Sequence, residues 1–160
     1  MSKEKLLAVE RLSKSYGSTR AVDDITFHVR PGEIYGLLGP NGAGKTTTIS
    51  CACGLLKPDA GRILIDEIDL QAQPNEFKRR IGVVPQEIAI YGDLNARENI
   101  TFWGELAGLR GAELKRRAAE ALAIVGMTDH ARQPARKLSG GYKRRLNLAI
   151  GMVHQPRLLL

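Results

Sequence analysis

Apolar and polar stretches alternate along the chain in a way that predicts a mixed α/β protein. Two short apolar runs, residues 34–38 and 81–84, have the length and bounding turns of buried strands. A breaker-free stretch follows the first run from residue 46 to residue 53 and predicts a helix. Strand, helix and strand in this order are typical of a parallel sheet, so the fold class predicted for this part is α/β.

Three other segments predict a small antiparallel sheet near the N-terminus. Residues 6–12 and 25–29 have strand-like patterns and are separated by a turn-rich stretch over residues 13–18. Residues 62–66 follow Pro-Asp-Ala-Gly and form the third predicted strand.

From Asn95 onward the pattern becomes helical. Residues 95–98, Asn-Ala-Arg-Glu, predict a capping box, and the helix that they begin is expected to run through Leu106 and stop at Gly108. A second helix is predicted from about Ala112 to Val125, before Gly126. Its buried face is predicted to consist of Leu114, Ala118, Ala121, Leu122 and Val125, which recur at helical spacing.

Residues 39–48, Gly-Pro-Asn-Gly-Ala-Gly-Lys-Thr-Thr-Thr, lie between the first apolar run and its helix and predict a phosphate-binding loop. Glycines let main-chain N–H groups approach an anion, and the helix N-terminus adds partial positive charge. Lys45 is expected to contact the β- and γ-phosphates, Thr46 to bind Mg²⁺ and Thr47 to lie at the α-phosphate side. The alternative is a glycine-rich turn without a ligand. The full predicted set is Gly39, Pro40, Asn41, Gly42, Ala43, Gly44, Lys45, Thr46 and Thr47.

Composition limits the remaining classes. A chain of 160 residues with 43% apolar content can form one core, and no run approaches the roughly 18 apolar residues of a membrane span. Residues 1–5 are charged, so no secretory signal is expected and the predicted location is cytoplasmic unless a partner holds the chain at a membrane. Cys51 and Cys53 point about 200° apart on the predicted helix, so they are expected to be buried thiols that neither pair nor share a metal.

The net charge of +7 is compatible with a phosphate-rich partner, an anionic surface or solubility alone. Basic clusters at residues 115–117 and 143–145 fall on predicted helices and are expected to be solvated faces. Because aromatic residues do not alternate with them, no nucleic-acid partner is expected.

Residues 138–146, Leu-Ser-Gly-Gly-Tyr-Lys-Arg-Arg-Leu, contain a cap-forming serine, two glycines and a helix start. Alone this pattern is more often only a capped turn. Together with residues 39–48 it resembles the ATP-binding subunits of ABC transporters, whose signature is Leu-Ser-Gly-Gly followed most often by Gln. Tyr142 replaces that Gln here.

The resemblance covers nearly the whole chain in family order. It implies that Tyr16 stacks on adenine and that Gln86 touches Mg²⁺ and couples to a membrane partner, although singly Tyr16 is also a plain turn aromatic and Gln86 a surface residue. It implies a P-loop NTPase core with a RecA-like parallel sheet, an antiparallel β region and an inserted helical subdomain. Residues 1–160 are then one C-terminally incomplete ATP-binding domain. Its parts are the β region and core (1–86), the helical subdomain (87–137) and the signature helix with the start of the next strand (138–160).

The family's function follows as a set of expectations. Mg-ATP is bound, Lys45 and Gln86 take part in ATP hydrolysis, and Thr46 and Gln86 contact the metal. Two such subunits, identical or different, pack head to tail, so that Ser139, Gly140 and Gly141 complete the partner's ATP site. A transmembrane permease binds the region after Gln86, residues 87–94, unless that segment is only a loop stabilised by itself. The branch most similar is the export type, in which ATPase and permease are separate chains and the ATPase lies on the cytoplasmic face of the membrane.

Residues 158–160 begin an apolar strand that in the family continues to an Asp and a Glu, followed later by a His. The 160 residues are therefore expected to bind ATP but to hydrolyse it poorly, and to be marginally stable. Two other functions stay open: a soluble ABC-type ATPase acting on ribosomes or nucleic acid, and a nucleotide-binding fragment that does not hydrolyse ATP.

Overall fold

The computed structural model describes residues 5–160, which divide into two compact units. The first unit extends to Ile81 and includes Leu160, and the second is Gly82–Leu159. Residues 1–4, which carry most of the charged N-terminal stretch, lie outside the described residues. Across residues 5–160 none of the helices combines the length and the apolar character that a membrane span needs.

An antiparallel sheet of four strands forms most of the first unit. Its strands are β1 (Leu7–Tyr16), β2 (Thr19–Val29), β3 (Ala60–Ile65) and β4 (Ile68–Asp69), in the order β2-β1-β3-β4. Alternate side chains of β1 and β3 are buried, which is the period of two expected where one sheet face is packed. The predicted antiparallel region is therefore confirmed.

The predicted turn over residues 13–18 is wrong in its extent. Strand β1 continues to Tyr16 and β2 already begins at Thr19, so only Gly17 and Ser18 connect them. The pairing shifts register between Val9 and Leu12 and again on either side of Lys14. These irregularities break the alternation of apolar and polar residues. The mostly polar sequence of residues 13–18 therefore looks like that of a turn.

Helix α1 (Lys45–Ala52) begins where the sequence predicts it, and a short helix α2 (Pro74–Arg79) was not predicted. The predicted strand at residues 34–38 is not present. Within the described chain no strand hydrogen-bonds to it, and Ile34 and Leu38 are 100% and 91% exposed. An apolar run becomes a strand only when a neighbour supplies backbone partners, so the run alone does not decide this segment.

The second unit is a helical bundle of α3 (Ala96–Leu106), α4 (Gly111–Ile124) and α5 (Gly140–Met152). Short 3₁₀ turns occur at Thr128–His130 and Ala135–Lys137. The helices enclose one apolar cluster whose members include Ile100, Ala118, Ala121, Leu122, Met127, Leu146, Ala149 and Val153. Two short strands, β5 (Ile81–Gly82) and β6 (Leu158–Leu159), form a separate parallel pair.

The predicted helices of this unit are confirmed. Asn95 Oδ1 accepts the Glu98 N–H at 2.9 Å, and the Asn95 N–H donates to Glu98 Oε2 at 2.8 Å, which completes the capping box. Gly108 and Gly126 follow the first two helices with positive φ. Every position of the predicted buried face of α4, and Val125 after it, is buried.

Candidate functional site

Gly44 fixes the junction between the predicted phosphate loop and α1. It is the N-cap of the helix in a left-handed conformation, with φ 80° and ψ 6°, and its carbonyl accepts the Thr48 N–H at 2.8 Å. A Cβ at this position would lie 2.2 Å from the carbonyl oxygen of Ala21 and 3.1 Å from a methyl group of Val22. Both the backbone angle and the space therefore require glycine.

The Lys45 side chain folds back over the loop. Its ammonium donates to the carbonyl oxygens of Gly39 and Pro40, each at 2.7 Å. The side chain is half-buried. A full positive charge is therefore held against the backbone of the loop that was predicted to bind phosphate.

The first turn of α1 offers further groups suited to an anion. Its N–H groups have no acceptors within the helix, and the first turn contains no acidic residue to neutralise its partial charge. Thr46 is exposed, Thr47 is half-buried and Thr48 is buried. A cavity of about 380 Å³ adjoins this region, and its lining includes Arg20, Leu37, Gly42, Ala43, Lys45 and Thr48.

Tyr16 ends β1 at the hairpin and is 53% exposed, paired in register with Thr19. Asp59 holds the same strand just before Tyr16. Its carboxylate accepts hydrogen bonds from Lys14 Nζ and from the Ser15 N–H, both at 2.7 Å. The Lys14 hydrogen bond and, next, the Ser15 N–H lower the pKa of Asp59. The same hydrogen bond raises the pKa of Lys14. A ring available for stacking thus extends from a fixed strand end.

Cys51 and Cys53 are free and buried, as predicted. Desolvation by burial raises the pKa of both thiols. Raised values keep the thiols protonated and unreactive at neutral pH, so they pack as small apolar side chains.

Ser139 caps α5, as the sequence predicts. Its Oγ accepts the Tyr142 N–H at 3.3 Å, and Gly140 and Gly141 are the exposed first residues of the helix. A Cβ on Gly140 would meet no atom within 4 Å, and one on Gly141 would meet only Ser139 Oγ at 3.9 Å. Packing within residues 5–160 therefore does not explain these glycines, and they leave the helix N-terminus open to close approach.

Tyr142, which replaces the family's Gln, has a packing role. Its ring centroid lies 4.2 Å from that of His130, and the Arg145 guanidinium lies 5.5 Å from the centroid. The ring also packs against the apolar cluster of the helical unit. These contacts fix the first turn of α5.

Gln86 is exposed, and the backbone around it is bound by side chains of α5. Arg144 donates to the Gln86 carbonyl oxygen. Asn147 donates to the Pro85 carbonyl at 3.1 Å and accepts the Ala89 N–H at 3.2 Å. Sequence reasoning missed both residues, although a lone Asn between Leu146 and Leu148 was a detectable signal.

Asn99 on α3 plays the same part for the next residues and was also missed. It is fully buried and accepts the Tyr91 N–H at 2.7 Å. Its amide donates to the carbonyls of Tyr91, Leu94 and Asn95 at 3.0, 3.2 and 3.0 Å. The segment after Gln86 is therefore held by buried amides from outside the segment and is not a loop stabilised only by its own residues.

The predicted site residues fall into two groups. Tyr16 and residues 39–47 lie in the first unit, whereas Gln86 and residues 139–141 lie in the second. Each unit thus presents one helix N-terminus preceded by glycines or a serine cap.

The sequence profile of the ABC transporter family matches residues 22–160. This chain belongs to the ABC transporter family. Among its relatives, the linearmycin resistance ATP-binding protein LnrL of Bacillus subtilis is 45% identical over 155 residues, which are 97% of this chain and 50% of that protein. The Nod factor export ATP-binding protein I of Paraburkholderia xenovorans is 38% identical over 157 residues, 98% of this chain and 52% of that protein.

Solved ABC transporter structures confirm the predicted α/β fold class. An ATP-binding subunit of an ABC transporter superimposes with a TM-score of 0.83 at 30% identity, covering 96% of this chain and 64% of that one. CbiO1 of Clostridium perfringens, described as part of the ABC transporter complex cbiONQ, gives 0.87 at 29% identity, with 98% and 64% covered. This ABC transporter chain spans about half the length of LnrL and of the Nod factor export protein.

Proposed function

We propose that the chain is the ATP-binding part of an ABC transporter subunit that powers export through a separate permease. The observation that carries this proposal is the junction at Gly44 and Lys45. There a glycine whose backbone angle and surroundings disfavour any side chain caps a helix, and a lysine ammonium lies against the loop before it. Backbone N–H groups, a helix N-terminus and an ammonium are the groups that bind a triphosphate.

The residues present fit a nucleotide with its metal. Lys45 would exchange its two carbonyl acceptors for phosphate oxygens, with which it forms stronger charge-assisted hydrogen bonds. The exposed Thr46 hydroxyl suits Mg²⁺, and Tyr16 is accessible for stacking on adenine. The contact of Gln86 with Mg²⁺ stays a prediction from the family resemblance. When bound, Mg²⁺ would neutralise phosphate charge during ATP hydrolysis, and the Lys45 ammonium would add to that neutralisation.

A second ATP-binding subunit completes the proposed site. An open helix N-terminus is formed by Ser139, Gly140 and Gly141. Because glycine has no side chain, a phosphate group of a partner-bound nucleotide can approach this helix end closely. The proposal is that two subunits pack head to tail, each supplying this helix end to the other's ATP.

The proposed permease contact is the segment of residues 87–94 with the neighbouring face of α3. Tyr91 lies 5.0 Å from Phe102 and 6.3 Å from Trp103 between ring centroids. Tyr91, Phe102 and Leu106 remain substantially exposed. Exposed aromatic residues on a fixed backbone suit a protein partner, which would place the chain on the cytoplasmic face of a membrane.

The charge pattern gives little support to a nucleic-acid partner. On α4, Arg116 and Arg117 form ion pairs with Glu113 and Glu120 of the same helix. One of the two basic clusters is thus compensated within its own helix, which favours the transporter proposal over the ribosome or nucleic-acid alternative.

Calorimetric titration of Mg-ATP into the wild-type, Lys45→Ala and Lys57→Ala chains tests this proposal. Lys57 is exposed, so its substitution makes the same charge change away from the loop. We expect at least about tenfold weaker binding for Lys45→Ala, because a charged hydrogen-bond donor is lost, and unchanged binding for Lys57→Ala. Equal affinities for the wild-type and Lys45→Ala chains would refute the assignment of the loop.

A further inference from the structure

Two side chains of α5 bind the backbone on both sides of Gln86. Asn147 contacts Pro85 and Ala89, and Arg144, one turn earlier on the same helix face, contacts Gln86 itself. Asn147 is 2% exposed, and both polar atoms of its amide are used for these contacts. A buried side-chain amide whose hydrogen bonds all go to a distant backbone segment fixes the position of that segment.

The same helix begins with the residues proposed to contact a partner's nucleotide. Ser139 caps it, and Gly140 and Gly141 form its first turn. Because α5 is a continuous helix over 13 residues, its N-terminus and Asn147 belong to one rigid element. A displacement of the helix start therefore carries Asn147 with it.

We propose that Asn147 is a positioning residue that makes residues 85–89 move together with α5. Arg144 assists it through the Gln86 carbonyl. Contact at Ser139 to Gly141 is thereby transmitted within one chain to Gln86 and to the segment proposed to meet the permease. This inference rests on the proposed function.

The structure supplies an internal reference for a test. The Ala89 N–H is bound by Asn147, whereas the Tyr91 N–H is bound by Asn99 of α3. Asn147→Leu removes the bonds to Ala89 and Pro85 and leaves the Tyr91 bond in place, whereas an ionised Asn147→Asp side chain keeps an acceptor for Ala89 but gives Pro85 no donor. Leu146→Ala is the matched control, because Leu146 is fully buried on the same helix and lies in the apolar cluster, and its side chain has no polar atom that could hydrogen-bond to the segment.

Amide hydrogen exchange is measured on the three variants and the wild-type chain. We expect Asn147→Leu to accelerate exchange at Ala89 about tenfold more than at Tyr91, and Leu146→Ala to change both amides in the same proportion. Asn147→Asp is expected to keep protection at Ala89. Equal acceleration of Ala89 and Tyr91 in Asn147→Leu, or loss of Ala89 protection in Asn147→Asp, would overturn the positioning role.

The coupling is tested by repeating the exchange with Mg-ATP. We expect Mg-ATP to change the exchange of amides 86–89 in the wild-type chain, and the Asn147→Asp chain to bind Mg-ATP with affinity within about twofold while giving less than half of that change. Two results would overturn the coupling but leave the proposed function standing. In the first, both chains bind Mg-ATP and the exchange at amides 86–89 changes as much in the variant as in the wild type. In the second, the wild-type chain binds Mg-ATP and its exchange at these amides does not change. Failure of the wild-type chain to bind Mg-ATP would overturn the proposed function and the coupling with it.

Discussion

Gly44 shows how one residue can decide both the backbone and the chemistry of a loop. It combines a φ of 80° with a neighbouring carbonyl 2.2 Å from the position of a Cβ. Gly42 has a similar φ of 84°, but a Cβ there would meet no atom within 4 Å. Comparing substitutions at the two glycines therefore separates the free-energy cost of a side chain at positive φ from the cost of its steric clash with the Ala21 backbone.

We predict that Gly44→Ala destabilises the chain more than Gly42→Ala. The second substitution is expected to cost about 1 kcal/mol for the left-handed angle, and the first 2 kcal/mol or more because the Ala21 backbone must also shift. Urea unfolding of both variants measures the difference. Equal loss at the two positions would contradict the packing described at Gly44.

The ion pair between Lys14 and Asp59 predicts a pH dependence. Because the pKa of Asp59 is lowered on folding, the stability that it contributes is present above its unfolded pKa and is lost as the pH falls through its lower folded value. The raised pKa of Lys14 means that its contribution is present below its unfolded pKa and is lost as the pH rises through the folded value.

Unfolding curves at a series of pH values check this sign. Asp59→Asn is expected to flatten the loss of stability on the acidic side, whereas Asp23→Asn, which affects a more exposed pair with Arg20, serves as the control. Identical acid profiles for wild-type and Asp59→Asn chains would show that the pair does not act on stability.

At the scale of elements, the N-terminus of α5 has two glycines that its own chain does not require. Gly140 is in the first turn, where alanine is a better helix former and meets no atom within 4 Å. We predict that Gly140→Ala does not lower the melting temperature and leaves the Mg-ATP affinity of the monomer unchanged, but weakens ATP-dependent dimerisation by at least about tenfold because a methyl group blocks close approach.

Sedimentation velocity with and without Mg-ATP measures this effect, with Gly108→Ala as a control for a glycine replaced away from the helix start. Gly108 has nothing within 4 Å of a Cβ, although its positive φ adds strain. Unimpaired dimerisation of Gly140→Ala would argue against the role assigned to this helix end.

Elements whose signals are local could be predicted from sequence, and elements that depend on distant partners could not. The capping box of Asn95 and Glu98 and the stop at Gly108 lie within a few residues of the helix that they define. Residues 13–16 and 19–24 form strands through pairing with each other that includes bulges, and Ser13 also pairs with β3. Residues 34–38 lack a pairing strand within the described chain.

At the scale of the whole molecule, the same distinction applies to the site. The loop at residues 39–47 and the cap at Ser139 are each built from residues that are neighbours in the sequence, so the local geometry of each follows from residue type. Asn147 hydrogen-bonds to Ala89 and Pro85, which precede it by 58 and 62 positions in the chain. No local sequence pattern indicates such contacts. Sequence alone therefore predicted the groups that we propose to bind the nucleotide, but it did not predict the buried amides that contact the segment after Gln86.

The central claim is that the backbone and ammonium between Gly39 and Thr47 bind a triphosphate, and residue-resolved NMR tests it most directly. On addition of Mg-ATP, we predict the largest amide shifts at Gly42, Gly44 and Lys45, with strands β3 and β4 nearly unchanged, because the loop N–H groups bind the phosphates. Absence of shifts at these three amides in millimolar Mg-ATP, or shifts confined to other parts of the chain, would contradict the account.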